Sequence, residues 1–304
     1  MRTPITHSII IPTYNRPEQL RVSVASALEA LGSLGEVIVV DDNSEVPASQ
    51  SLASVFDKRL KIFMNTSGSG ASAARNHGVN RALGRIIFFL DDDDSMQAGY
   101  CRKILKVREA LPLLTWGYSS YIIKDNDGNK NLVQKHPGSG PIAVDLSVKA
   151  KLGGLGMGFW IEVGTFRALG GLNDSLPIDE DTDLCLRLIT SGAPAWFESS
   201  PGTIVSRDAS TRLTSSTTTF RAAQAYAENA FQHGKNFNPL TADARFLYFR
   251  AIRLAAKSFA WTLGLGLCRS AGHPVLSIQC FLLLILKSLS CAVRKLRSTI
   301  RLPH

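Results

Sequence analysis

Residues 86–94, IIFFLDDDD, join an uninterrupted apolar run to four consecutive aspartates. No other junction constrains the fold as much. A strand that is apolar at every position must be covered on both faces, and that happens in parallel sheets flanked by helices. The same pattern appears in IIIPTYN (9–15) and VIVVDDNS (37–44). Strands are therefore predicted at Ser8–Ile11, Glu36–Val40, Leu60–Met64 and Ile86–Leu90. Amphipathic stretches near Pro17–Leu31, Pro47–Phe56 and Ala71–Leu83 read as the intervening helices, the first opened by Pro17. The fold class is α/β, with a mostly parallel central sheet. Ligands of such sheets bind beyond the carboxyl ends of the strands, which is where PTYN, DDNS and DDDD fall.

Four adjacent carboxylates repel one another, and a turn needs only one or two of them. Hard divalent cations take carboxylate oxygens together with phosphate oxygens and water. A D-x-D pair at a strand end lets two carboxylates reach one ion, which can bridge to a diphosphate and offset its charge as it leaves. The bland reading is a solvated acidic turn that caps the next helix. DDNS has its own bland reading, an Asx-turn that stops the strand; the functional one is a carboxylate accepting from a base or ribose. The loop NTSGSGASAARNHG (Asn65–Gly78) could offer backbone N–H groups and Arg75 to phosphates. Its glycine spacing matches neither a Walker loop nor GxGxxG. PIDEDTDLCLRL (Pro177–Leu188) opens a helix with Asp179, Glu180, Asp181 and Asp183. The macrodipole favours acids there, but four exceed what capping requires. One of them, exposed, could take a proton from an attacking hydroxyl.

The rest of the chain is less regular. Residues 115–123 read as a strand followed by a hairpin turn at KDNDGNK. Seven glycines between 153 and 171 imply close backbone approach or bending. The Ser/Thr-rich stretch 199–219 reads as a loop, and the tail from about Thr241 as helical. Arg245–His304 holds ten Lys/Arg and no Asp or Glu, so the first 244 residues carry 24 basic against 25 acidic groups, a net of −1; the whole +9 sits in the tail. Such a tail suits an anionic membrane surface. The apolar run Phe281–Leu286 is far short of the ~20 residues of a spanning helix. Five scattered cysteines with no CxxC spacing argue against a disulfide framework or zinc site and suit a reducing compartment. MRTPITHSIIIP reads as no signal peptide.

PTYNRP, VIVVDDNSE, GASAARNHGVNRALGRIIFFLDDDD and GGLNDSLPIDEDTDLCLRL occur in that order. With them, residues 7–215 closely resemble a family-two glycosyltransferase of the GT-A fold. The resemblance implies a GT-A domain over 1–218, with a nucleotide half to about 95 and an acceptor half over 96–218. A helical, basic, amphipathic region follows at 219–304. It implies inverting transfer of a sugar from a nucleotide-diphosphate sugar to a hydroxyl of a glycan or lipid-linked acceptor, assisted by Mn²⁺ or Mg²⁺. By that likeness Pro12, Thr13, Tyr14, Asp41, Asp42, Arg75, Asp91 and Asp92 match nucleotide-binding positions. Asp93 and Asp91 match the metal ligands, and Asp181, with Glu180 beside it, the general base. Arg212 matches a basic residue of a flexible loop that meets the diphosphate.

The chain departs from the family in one place. Many relatives carry a histidine just before the segment that reads TRLT here; this chain has Arg207 and Asp208. Either Asp208 substitutes, or a metal has only aspartates, phosphates and water. The expected setting is the cytoplasmic face of a membrane in cell-envelope glycan synthesis, with no nucleic-acid partner. A sugar nucleotidyltransferase should show a glycine-rich basic signature after the first strand, which PTYNRP lacks. An intact Glu180-Asp181 pair and D-x-D argue against a non-catalytic nucleotide-sugar or membrane-binding protein.

Overall fold

The computed structural model describes residues 5–66, 68–145, 154–206 and 219–300, with side chains of the last stretch to 294. The order opens with β1 (His7–Thr13), α1 (Pro17–Leu31), β2 (Gly35–Asp41), α2 (Ala48–Ser51), β3 (Leu60–Met64), α3 (Ala71–Arg81) and β4 (Ile86–Phe89). It continues with β5 (Ser95–Met96), α4 (Tyr100–Ala110), β6 (Trp116–Lys124), β7 (Lys130–Val133), β8 (Gly140–Ile142), β9 (Trp160–Glu162) and α5 (Val163–Ala168). The remainder is α6 (Glu180–Ser191), β10 (Ala195–Ser206), α7 (Thr219–His233), α8 (Ala242–Lys257), α9 (Trp261–Ser270) and α10 (Pro274–Ile300).

Among the described residues ten strands form one sheet, ordered β3-β2-β1-β4-β9-β6-β10-β5, with β7 on β6 and β8 on β10. The apolar runs behave as expected. Every residue of β1, β2 and β4 is buried. Ile9, Ile11, Val37, Val39 and Phe88 pack with Leu20 and Val24 of α1. Burying each such side chain contributes about 1.5–3 kcal/mol, so the three covered strands dominate the stability of this part. The first half of the sheet is parallel, β1 to both β2 and β4, and β2 to β3. Beyond it the sheet is mixed: β9 runs antiparallel to β4 and β6, while β10 is parallel to β6. The mostly parallel expectation is met throughout the N-terminal half and again in the long β6–β10 pair; the short strands between them add antiparallel pairings. Later strands pair through hairpins and returns, which leave no continuous apolar run to read.

Chain contacts divide the protein into two compact units, residues 1–174 with 187–210, and 175–186 with 211–304. The sequence-based boundary at 218 lies outside the described residues. The acidic segment 179–183 falls in the helical unit, not with the sheet. That unit has its own core, with Ala227, Ala230, Ala251 and Ala256 meeting Tyr248, Ile252, Leu267, Leu276 and Leu284. Alanine-rich faces let helices approach closely, a pattern that a search for large apolar runs passes over.

Three local expectations change. The helix near Pro47–Phe56 shortens to Ala48–Ser51. Residues 199–206, read as loop, belong to the long strand β10. Their polar residues are accommodated by shifts in register around Pro201. Finally, α10 is longer than the run 281–286 implied. Pro274–Arg294 is long and apolar enough to cross a membrane, and only 22% of it is buried. Serines and cysteines between the leucines had hidden that length.

Candidate functional site

Between β1 and β4 the strand order reverses: from β1 the chain builds outward to β3, then returns to place β4 on the other side. Loops leaving the carboxyl ends of two such strands diverge and open a crevice. Here they are PTYNRP after β1 and DDDD after β4. The aspartates form a turn in which the Asp94 N–H donates to the Asp91 carbonyl at 3.1 Å. Side chains alternate around it: Asp92 and Asp94 are buried, Asp91 and Asp93 half-exposed. Asp92 accepts from the Thr13 hydroxyl at 2.8 Å and from Arg16 at 2.9 Å, and the same Arg16 nitrogen reaches Asp93 at 2.9 Å. Asp94 accepts the Ser206 N–H at 2.9 Å. Burial pushes the Asp92 carboxyl up to about 6, against the opposing pull of Arg16 and the Thr13 hydroxyl. Asp92, expected to face the nucleotide, thus stitches β4 to β1. The pair left toward solvent is the D-x-D pair, Asp91 and Asp93, with side chains 34% and 21% exposed.

The second strand end is stitched in the same way. Asp41 is fully buried, and its carboxylate accepts from the backbone N–H groups of Ser44 and Ala48 at 2.9 and 2.7 Å. This is the geometry of the Asx-turn reading: the carboxylate shapes the turn that stops β2. Asp42 is half-exposed and accepts from Asn65 Nδ2 and the Gly70 N–H, both at 2.6 Å. The loop before α3 is thereby tied to the end of β2. Asn15 and Asn43 adopt left-handed φ of 53° and 67° beside these ends, a conformation asparagine tolerates better than most residues. Pro12 is buried and Tyr14 exposed. Arg75 is not on a loop. It lies in α3, largely buried, and its guanidinium donates to Asp91 at 2.7 Å. One close approach implied by the glycines is to that same carboxylate: a Cβ on Gly156 would lie 2.5 Å from the Asp91 carboxyl. Any larger residue there would displace the D-x-D side chain.

The acidic segment of the helical unit is organised differently. Asp179 has a left-handed φ of 71°. Its carbonyl accepts from the N–H groups of Thr182 and Asp183, which starts α6. Its carboxylate accepts from the Thr182 hydroxyl at 2.5 Å, from Asn229 Nδ2 at 2.7 Å, and from Arg250. Burial raises the Asp179 carboxyl while Arg250 opposes it. Asp183 is buried against His233 Nε2 at 2.8 Å. Glu180 and Asp181 are half-exposed, and Asp181 Oδ1 accepts the Thr182 N–H at 2.7 Å.

Among the described residues no group of three or more His, Cys, Asp or Glu side chains gathers to hold a metal ion. Asp91 and Asp93 alone fit an ion that takes one or two carboxylates and completes its shell from substrate phosphates and water. Asp208, Arg212 and the neighbouring Arg207 lie outside the described residues. Sequence reasoning missed Arg16, Asn229, His233 and Arg250. Arg16 carried a signal, since it is the one cation in the segment closing β1. Arg250 carried none, lying 71 residues beyond Asp179.

The sequence profile described as Glycosyl transferase family 2 matches residues 8–170. An uncharacterized glycosyltransferase of Haemophilus influenzae is 31% identical over 60% of this chain and 61% of its own length. UDP-Glc:alpha-D-GlcNAc-diphosphoundecaprenol beta-1,3-glucosyltransferase WfgD of Escherichia coli is 37% identical over 29% of this chain and 34% of its own. The chain therefore spans less than two thirds of these relatives' lengths. The crystal structure of S. aureus TarS residues 1–349 in complex with UDP-GlcNAc superposes with a TM-score of 0.66, at 14% identity, over 96% of this chain and 92% of that one. The shared α/β architecture agrees with the reversal at β1 and β4. With a family profile covering more than half the residues, every strand of the crevice included, this chain belongs to glycosyl transferase family 2.

Proposed function

We propose that the protein transfers a sugar from a nucleotide-diphosphate sugar to a hydroxyl of a lipid-linked glycan, inverting the anomeric centre in one displacement. One observation carries the reading. Of the four aspartates that close β4, the fold buries two and turns Asp91 and Asp93 outward at the sheet's reversal point, the crevice where α/β sheets take nucleotides. Asp42, Thr13 and Tyr14 border the same edge and would hold the nucleoside. Arg75 holds Asp91 and leaves its second oxygen for a cation. Asp91 and Asp93 would hold Mn²⁺ or Mg²⁺, which supplies positive charge to the departing diphosphate. Asp181 takes the proton from the acceptor hydroxyl as its oxygen attacks the anomeric carbon. Glu180 lies beside it in the same helical turn.

The acceptor class is supported by WfgD, whose name specifies a diphosphoundecaprenol-linked acceptor. The donor class is supported by the TarS complex with UDP-GlcNAc. A membrane-surface location is supported by α10, which exposes Ile278, Leu282, Leu286, Leu289 and Val293. Arg253, Lys257, Lys287 and Arg294 line a cleft of about 550 Å³ in the same unit, and no acid follows residue 243. Deleting residues 270–304 would remove Leu276, Cys280 and Leu284 from the core, so substitution is the better test. Serine at 282, 286, 289 and 293 should release the protein from the membrane fraction; full retention would remove the membrane assignment. The enzymatic reading is tested by incubating the protein with Mn²⁺ and a panel of nucleotide sugars. Slow release of nucleoside diphosphate from one donor is expected, and none from any donor would sink it.

A further inference from the structure

The helical region lies outside the family match, yet it grips the acidic segment through side chains from two helices. Asn229 of α7 donates through Nδ2 to both the carboxylate and the carbonyl of Asp179, at 2.7 and 3.2 Å. Arg250 of α8 pairs with the same carboxylate, and its other terminal nitrogen donates to the Thr182 hydroxyl at 3.3 Å. The guanidinium lies over the Tyr226 ring at 3.9 Å and the Phe246 ring at 5.4 Å. An arginine fork fixed by two bonds and two aromatic faces has little freedom left. It closes on the residues that bracket Glu180 and Asp181. Asp179 meanwhile occupies a left-handed conformation, which persists where the surroundings over-determine it. Strain held this way at the residue before a helix fixes the direction of the first helical turn, where Asp181 lies.

We infer that Arg250 is a positioning residue for proton transfer: by gripping Asp179 and Thr182 it sets the orientation of Asp181. This rests on the reading of Asp181 as the base. It makes the helical region part of the catalytic machinery rather than an anchor alone. Asn229 serves the same grip from the other side of the carboxylate. Lysine at 250 would keep the charge and lose the fork.

The test is steady-state and single-turnover kinetics of the full chain with a donor and acceptor that support transfer. The variants are Arg250→Lys, Asn229→Ala, Asp181→Asn and the double variant Asp181→Asn with Arg250→Lys. A base misplaced by about 1 Å loses on the order of 100-fold in rate. Arg250→Lys should therefore lower kcat by roughly that factor, with the donor KM changed less than about twofold. Asn229→Ala, the milder change, should lower kcat by about tenfold. In the Asp181→Asn background, Arg250→Lys should change the residual turnover less than about twofold, since there is no base left to orient. Full activity in both Arg250→Lys and Asn229→Ala, with Asp181→Asn inactive, overturns the positioning role and leaves the base reading intact. Equal losses from Arg250→Lys with and without Asp181 overturn it as well, because a general structural defect is additive. Near wild-type turnover in Asp181→Asn instead removes the base reading itself. If Arg250→Lys does not fold, Asn229→Ala alone and combined with Asp181→Asn decides by the same comparison.

Discussion

The turn Asp91–Asp94 and the segment Asp179–Asp183 each pack four carboxylates into a few positions, yet the protein treats them differently. In the first, alternation around a turn divides the acids: Asp92 and Asp94 go inward to Thr13, Arg16 and the Ser206 N–H, while Asp91 and Asp93 go outward. In the second, a helix start divides them: Asp179 and Asp183 are held by Arg250, Asn229 and His233, and the two acids between stay half-exposed. Buried carboxylates need partners, so each cluster recruits its own from neighbouring elements. An acidic run is thus two sets of groups with separate duties, sorted by burial.

That sorting can be broken from either side. The largest effect is expected from Asp181→Asn. It removes the carboxylate's basicity and keeps the side chain's shape, so kcat should fall on the order of 10³-fold while donor binding, followed by calorimetry, stays within about twofold. Next, Asp93→Ala should weaken Mn²⁺-supported donor binding about 10- to 100-fold, an expectation from losing one of two carboxylates. The inward Asp94→Asn should shift thermal stability and leave metal dependence in place. Should Asp94→Asn abolish metal dependence too, the division by burial is wrong.

Stability effects follow. Arg16→Ala leaves Asp92 buried without its cation, and breaking such a pair costs about 3 kcal/mol. Chemical denaturation should show the loss, with hydrogen-exchange protection falling in β1 and β4 and unchanged in α7 and α8. Gly156→Ala pushes a methyl toward the Asp91 carboxyl, so it should reduce donor affinity severalfold with a smaller change in melting temperature. The smallest effect concerns pH. His7 in β1 is buried and bonded to the Leu31 carbonyl, and burial holds its imidazole below 6.5. A lowered histidine binds protons less well folded than unfolded. Its stabilising contribution is therefore present above pH 6.5 and lost as pH falls toward the folded value. His7→Gln should flatten the dependence of β1 protection on pH as pH falls below about 6.5; an unchanged slope would exclude it as the source.

Much of the sheet unit was legible because its signals are local. IIFFL, VIVV and III announce strands without reference to anything distant, and each ends where its polar cluster begins. The acidic turn that follows β4 was legible for the same reason. The partners were not: Arg16 reaches Asp92 across 76 residues and Arg250 reaches Asp179 across 71, and no local pattern encodes such pairings. That Asp41 and Asp92 point inward was not legible either, because residue type alone does not separate an inward carboxylate from an outward one. The mixed second half of the sheet escaped for a related reason, since strands such as β8 and β9 have three residues each and carry no period.

Sequence alone determined that this chain would build a covered parallel sheet with acids at its carboxyl edge, because side-chain hydrophobicity acts position by position. Tertiary structure decided which acids face outward, which cations neutralise the rest, and that the segment bearing Asp181 is held by the C-terminal helices. Those outcomes depend on desolvation, and a carboxylate's solvent is known only once the chain around it has closed.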